Sequence, residues 1–138
     1  MEIQPTLETL SREACLQLLA SKRVGRLGVI ADDRPHVVPV NYALDGDTVV
    51  FRTGEATVLT EASLRFVALE IDEIDEQTHR GWSVVVHGFG REVGDAIDAE
   101  SRRLVAIPIE TWAGGDRNRV FKIEPEELTG RGIIPARP

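Results

Sequence analysis

The chain has 138 residues, of which 23 are acidic and 16 basic, giving a formal net charge of −7 with 42% hydrophobic residues. That length suits a single domain with its own core, and the acidic balance argues against a nucleic-acid phosphate footprint or an anionic membrane surface as partner. Cys15 is the single cysteine, the start Met-Glu-Ile-Gln-Pro-Thr does not read as a signal peptide, and no apolar run approaches the roughly 20 residues of a membrane helix, so a reducing cytoplasm is expected.

In chain order, residues 1–10 read as a lead-in. Ser11 is a helix N-cap and Glu13 favours a first turn, so a helix is expected to about Ser21 with Cys15, Leu16, Leu18 and Leu19 toward a core. Cys15 is most simply a small buried hydrophobe. Val24 to Ala31 is a strand with Leu27, Val29 and Ala31 on one side. Asp32-Asp33-Arg34-Pro35 turns the chain into the stretch that organises the rest.

That stretch, Pro35 to Thr53, reads PHVVPVNYALDGDTVVFRT. Asp45-Gly46 between two apolar-rich runs is a hairpin signal, because a type I′ turn needs positive φ at both central positions. The register this implies sets Leu44 opposite Asp47, Tyr42 opposite Val49, Val40 opposite Phe51 and Pro39 opposite Arg52. Val38, Val40, Tyr42, Leu44, Val49 and Phe51 then share the core side. Pro39, Asn41, Val50 and Arg52 share the other side, with Asn41 and Arg52 as diagonal neighbours that one ligand can touch together.

Beyond Thr53 the period changes. Val58 to Leu64 reads as a short helix, and Phe66 to Ile71 as a strand with Val67, Leu69 and Ile71 in the core. Asp72 to Arg80 is acidic and reads as a loop. Trp82 to Val93 is a long strand bent near Gly88 and Gly90. A helix is expected over Asp95 to Ala106 with Asp95 or Asp98 as cap, then a loop from Pro108 to Asp116 that carries Trp112, and a last strand from Arg119 to Ile123. The tail from Glu124 onward is expected to need no order. Six strands with singly placed helices fit a mainly β fold, a six-stranded antiparallel barrel with satellite helices, better than a doubly wound parallel sheet. A barrel of this size fills its interior with side chains, so a ligand must bind outside it or between two copies, and an apolar outer strip favours a homodimer.

The segments VGRLGVI, RPHVVPVNYALDGDTVVFRTGE, FVALEID and GWSVVVHGFGREV, in that order and spacing, resemble the pyridoxamine 5'-phosphate oxidase-like family of FMN-binding split barrels, and its short actinobacterial-type branch most of all. The resemblance covers about residues 20–132. It implies a dimeric split β-barrel with FMN, or a deazaflavin relative, across the outer face at the dimer interface, and a small-molecule substrate. It places Pro39, Val40 and Asn41 along the flavin ring, Arg52 and Thr53 at the phosphate end, and Trp82 and Ser83 as further contacts. Trp112 matches a position that closes over the site from the partner subunit.

The chemistry of these residue types agrees. Asn41 carries a donor and an acceptor for the ring's pyrimidine edge, and Arg52, Thr53, Thr57 and Ser83 offer a guanidinium and hydroxyls for a phosphate. Trp112 offers a stacking surface. The expected function is therefore a flavin-dependent oxidoreductase in which the cofactor carries the chemistry and no side chain is an obligatory acid or base. The family also has a Lys or Arg just after the TG turn, where Val58 stands here, with Glu55 adding negative charge, and His87 replaces a common Arg. These departures define the alternative, a non-catalytic flavin-sequestering or cofactor-free barrel. His36, His79 and His87 have no metal-ligand spacing, and no metal site is expected.

Overall fold

A computed structural model describes residues 6–54, 59–60, 65–94, 98–113 and 117–134. Seven strands and two helices follow in the order β1 (Thr6–Thr9), α1 (Arg12–Ala20), β2 (Val24–Ala31), β3 (Arg34–Asp45), β4 (Thr48–Thr53), β5 (Arg65–Asp75), β6 (Arg80–Val93), α2 (Ala99–Ala106) and β7 (Arg119–Ile134). All pairings are antiparallel, in the order β1-β7-β4-β3-β2-β5-β6, and a further pairing of β6 with β7 closes the sheet. Six strands therefore form the ring, as expected, and β1 lies outside it. One half of β7 pairs with β4 through Arg119–Ile123, the other half with β1 through Arg131–Ile134, and β6 runs along its opposite edge. The stretch of β7 between those two partners is where the barrel is split.

Local sequence explains the elements. The Ser11 hydroxyl accepts the Ala14 N–H at 3.1 Å and starts α1, whose Cys15 and Leu19, one turn apart, are buried against the end of the barrel. The Tyr42 hydroxyl donates to the Leu19 carbonyl at 2.6 Å and ties this helix to β3. Alternation sends Leu27, Val29, Val40, Phe51, Leu69, Val84 and Phe121 into a common core, where Phe51 and Phe121 stack with centroids 5.4 Å apart. The Asp98 carboxylate caps α2 by accepting the Ser101 N–H at 2.6 Å. This helix packs Leu104 on Val50 and Val120, a small second core on the outside of β4 and β7.

Several expectations need correction. Asp45 pairs with Thr48, Leu44 with Val49 and Tyr42 with Phe51, so the β3–β4 register is two residues away from the expected one. The turn residues are Gly46 and Asp47, and only Gly46 has positive φ, at 62°. The paired positive φ of a type I′ turn belongs instead to Asp32 and Asp33, at 54° and 57°, which join Ala31 to Arg34. A slip of two keeps every side chain on its face, so the core side stands as expected. Pro39 lies opposite Arg26 of β2 rather than Arg52, and the β3–β4 ladder stops at Tyr42 and Phe51. One step further along that register puts Asn41 opposite Arg52.

The lead-in contains β1, which is paired rather than loose. Asp72, Glu73 and Asp75 continue β5 rather than forming a loop, because cross-strand partners on β6 extend the strand as far as the Asp75–Arg80 pair, and of the expected loop only residues 76–79 form a turn. Glu124 to Ile134 is the larger part of β7, held between β6 and β1, and its polar alternation is that of a strand with one wet face. The bend expected at Gly88 is a register shift between His87 and Gly88. The expected helix over Val58–Leu64 falls mostly outside the described residues, as does Asp95.

Candidate functional site

The outer side of the β3–β4 hairpin is not wholly open. Val50 is fully buried beneath α2, and Arg52 reaches up to the same helix, where one guanidinium nitrogen donates to the Val105 carbonyl. A cation at a helix C-terminus opposes the helix dipole favourably. Beyond this point the hairpin face opens onto two cavities that share Asn41.

The smaller, about 50 Å³, is lined by Pro39, Val40, Asn41, Arg52, Thr111 and Arg117, with Leu59 and Ala113 completing it. Two guanidiniums and a hydroxyl around a space of this size suit an oxyanion, and the space is far too small for a fused ring system. The larger, about 480 Å³, lies on the other side of Asn41 between the end of α1, the last third of β3 and the chain leaving α2. Lys22, Arg23, Glu110 and Trp112 supply its polar and aromatic walls. The two are separated by one hydrogen bond, from the Trp112 backbone N–H to Asn41 Oδ1 at 2.9 Å.

The structure thus brings together Pro39, Val40, Asn41, Arg52 and, through its backbone, Trp112. Thr53 is fully buried on the side of Phe51 and lines neither cavity. Trp82 and Ser83 line a separate cavity of about 280 Å³ with Leu7, Ile74, Arg131 and Ile133. Trp82 packs on the edge of the barrel core beneath the Lys22 ammonium, 5.8 Å from the ring centre, whereas Ser83 pairs with Asp72 and Arg131 on the outer face. Within one chain these two residues do not join the Asn41 cluster. Thr57 and Val58 lie outside the described residues.

Arg117, Thr111, Lys22 and Arg23 line these cavities without having been singled out from sequence. Arg117 lines the same small cavity as Arg52. A basic residue just ahead of the last strand was the available signal for it.

The outer face of β2, β5 and β6 carries a charged band. The Arg26 guanidinium lies 3.7 Å from Glu70 and 3.8 Å from Asp72. Burial, then the hydrogen bond and charge of Asp72, push Glu70 up to about 7 against the pull of Arg26. Exposed apolar side chains flank this band, Ile30, Val37, Phe66 and Phe89 at one end and Leu7, Ile74 and Ile133 at the other. No helix among the described residues is long and apolar enough to cross a membrane.

With this geometry in place, comparison with known proteins decides the family. The family model for pyridoxamine 5'-phosphate oxidase matches residues 11–132. The chain belongs to this family. An uncharacterized protein of Mycobacterium tuberculosis is 33% identical over 131 residues, covering 91% of this chain and 84% of the relative. Among solved structures, the FAD binding protein from Mycobacterium smegmatis superimposes with a TM-score of 0.68 at 27% identity, covering 92% of this chain and 98% of that one. A FAD-binding protein from Mesorhizobium loti superimposes with a TM-score of 0.74 at 26% identity, covering 94% and 98%. The family relationship and its flavin-binding members agree with the split barrel and the class of cofactor expected from sequence.

Proposed function

We propose that this chain is a cytoplasmic, homodimeric flavin-dependent oxidoreductase that holds FMN against the outer face of β3 and β4 and oxidises or reduces a small molecule. The observation that carries the reading is the position of Asn41, between an oxyanion-sized cavity with two guanidiniums for the phosphate and a second cavity of small-molecule size for the substrate. Arg52, Arg117 and Thr111 would hold the phosphate. Asn41 would meet the polar edge of the ring, and Pro39 with the Val40 backbone would border it. A bound flavin supplies hydride acceptance and donation. The side chains bind, orient and exclude water, and none of them is assigned as acid or base.

One oxyanion cavity matches the single phosphate of FMN. FAD, bound by the two solved relatives named above, and a deazaflavin are the alternative cofactors. A second copy would complete the site. The exposed apolar side chains flanking Arg26, Glu70 and Asp72 favour such a partner.

The hydrogen bond of Arg52 to Val105 favours a second reading, in which Arg52 is a structural tether and the barrel sequesters a flavin or holds none. Titration of the purified chain with riboflavin, FMN and FAD, followed by flavin absorbance and mass spectrometry of the bound species, separates the readings. The oxidoreductase reading expects tight FMN uptake and reduction of the bound flavin by a nicotinamide donor. Uptake without reduction by any donor supports sequestration, and no uptake of any flavin overturns both flavin readings.

A further inference from the structure

The cavity of about 480 Å³ beside Asn41 has chemistry of its own. Its volume falls within the range of small-molecule sites. Its polar lining leans toward donors. Lys22 and Arg23 bring an ammonium and a guanidinium, groups that only donate. Asn41 Oδ1 accepts the Trp112 N–H, and Asn41 Nδ2 adds a further donor for a ligand. Glu110 is the only carboxylate among the lining residues, so the lining is net positive on a chain of net charge −7.

The two cations differ. The Lys22 ammonium is drawn toward Glu73, at 3.0 Å, and lies over the Trp82 ring. The exposed Arg23 side chain makes no ion pair among the described residues, while its carbonyl is fixed by the Tyr42 N–H at 3.0 Å. A guanidinium on an anchored backbone can take a carboxylate through two parallel hydrogen bonds. Trp112 is 67% exposed and held by its backbone rather than its indole, so its ring is available as a flat wall of a cavity that Leu44 and Ile109 also line.

We propose that this cavity binds a flat, conjugated carboxylic acid, with the carboxylate at Arg23 and the conjugated body against Trp112. The assignment deepens the flavin reading, since Asn41 borders both cavities and such an acid would lie beside the ring as substrate. Binding itself does not require the flavin.

The test is calorimetric titration of the full chain with cinnamate and with its neutral counterpart, cinnamyl alcohol, in the presence and absence of saturating FMN. Cinnamate is expected to saturate and to bind about tenfold to a hundredfold more tightly than the alcohol, the usual size of a charge-assisted contact. Arg23→Ala is expected to abolish that preference, and Arg23→Lys to restore part of it. Trp112→Ala is expected to weaken both probes equally. If neither probe saturates, if both bind alike, or if Arg23→Ala leaves the preference intact, the proposal is overturned. Competition of cinnamate with FMN for one site also overturns it, because the cavity would then be the flavin's own. Cinnamate binding with no FMN uptake supports the proposal while removing the flavin reading.

Discussion

Asn41 and Trp112, 71 residues apart in the chain, are joined by a side-chain-to-backbone hydrogen bond of 2.9 Å. The amide oxygen of Asn41 thereby fixes the segment after α2 against β3, and the amide nitrogen is left facing ligand space. Two jobs fall to one side chain, and substitutions can pull them apart.

Asn41→Ala removes both. The loss of a neutral hydrogen bond corresponds to about 0.5–1.5 kcal/mol, so a small drop in Tm is expected together with weaker FMN binding. Asn41→Asp keeps an oxygen for the Trp112 N–H but loses the donor and adds negative charge near the oxyanion cavity. It should retain most of the Tm and bind FMN more weakly than the Ala variant, as measured by thermal melts and flavin fluorescence titration. Equal behaviour of the two variants would contradict this division of labour.

Arg52 and Arg117 line the same small cavity. Arg52→Met breaks the bond to Val105, so it should lower stability by about 1.5–3 kcal/mol in chemical denaturation as well as weakening FMN. Arg117→Met should weaken FMN about tenfold to a hundredfold while leaving riboflavin, which has no phosphate, unchanged. Equal losses for both flavins would move the phosphate away from this cavity.

Glu70 makes stability depend on pH with a definite sign. Its carboxyl is raised from an ordinary value of 4.5 to about 7 in the folded chain, so folding favours the protonated form. Its contribution is therefore fully present below pH 4.5 and is lost as pH rises to about 7, the reverse of Glu92 and Asp98, whose hydrogen-bonded carboxylates are lowered and lose their contribution on acidification. Glu70→Gln should be more stable than the parent at pH 8, with the difference shrinking toward pH 4.5. A Tm difference that is flat across this range would remove the proton from Glu70.

Val37 is 72% exposed on the outer face of β3. A second copy seated on this face would cover it, so Val37→Asp is expected to yield monomers in sedimentation experiments and to lose FMN with no change in far-ultraviolet circular dichroism. A parent chain that sediments as a monomer at every concentration would eliminate the dimer.

Gly88 sits at the register shift between β6 and β7, where an added Cβ would overlap the Glu124 carbonyl. Gly88→Ala should cost about 1–3 kcal/mol, because the obstacle is backbone and cannot rotate away. Gly28→Ala is the control, since its Cβ would meet only ordinary contacts, the nearest at 3.7 Å.

The parts of the fold legible in the sequence are those written in one strong local signal. The caps Ser11 and Asp98 and the alternation of Leu27, Val29, Val67, Leu69 and Ile71 each follow from a few neighbouring residues, and the structure places them as read. The β3–β4 register differs by two from the one the turn signal implies, because Asp45-Gly46 and Gly46-Asp47 are both credible turn pairs and the choice between them depends on which cross-strand pairs pack. β1 and the far half of β7 carry mostly polar residues, so they declare themselves only through their pairing partners. For the candidate site, hairpin parity was enough to join Asn41 to Arg52. Arg117 and Arg23 could not be added, because their places beside that face are set by tertiary packing of segments far away in the chain.

The position of β7 has a consequence for biogenesis. This strand, residues 119–134, borders partners drawn from residues 6–9, 48–53 and 80–93. During synthesis those partners leave the ribosome first and wait with open edges, and the ring cannot shut until residues 119–125, which pair with both β4 and β6, have emerged. Closure of the ring thus waits on its most distant partner in the chain, and interruptions upstream of that point leave exposed strands that invite aggregation.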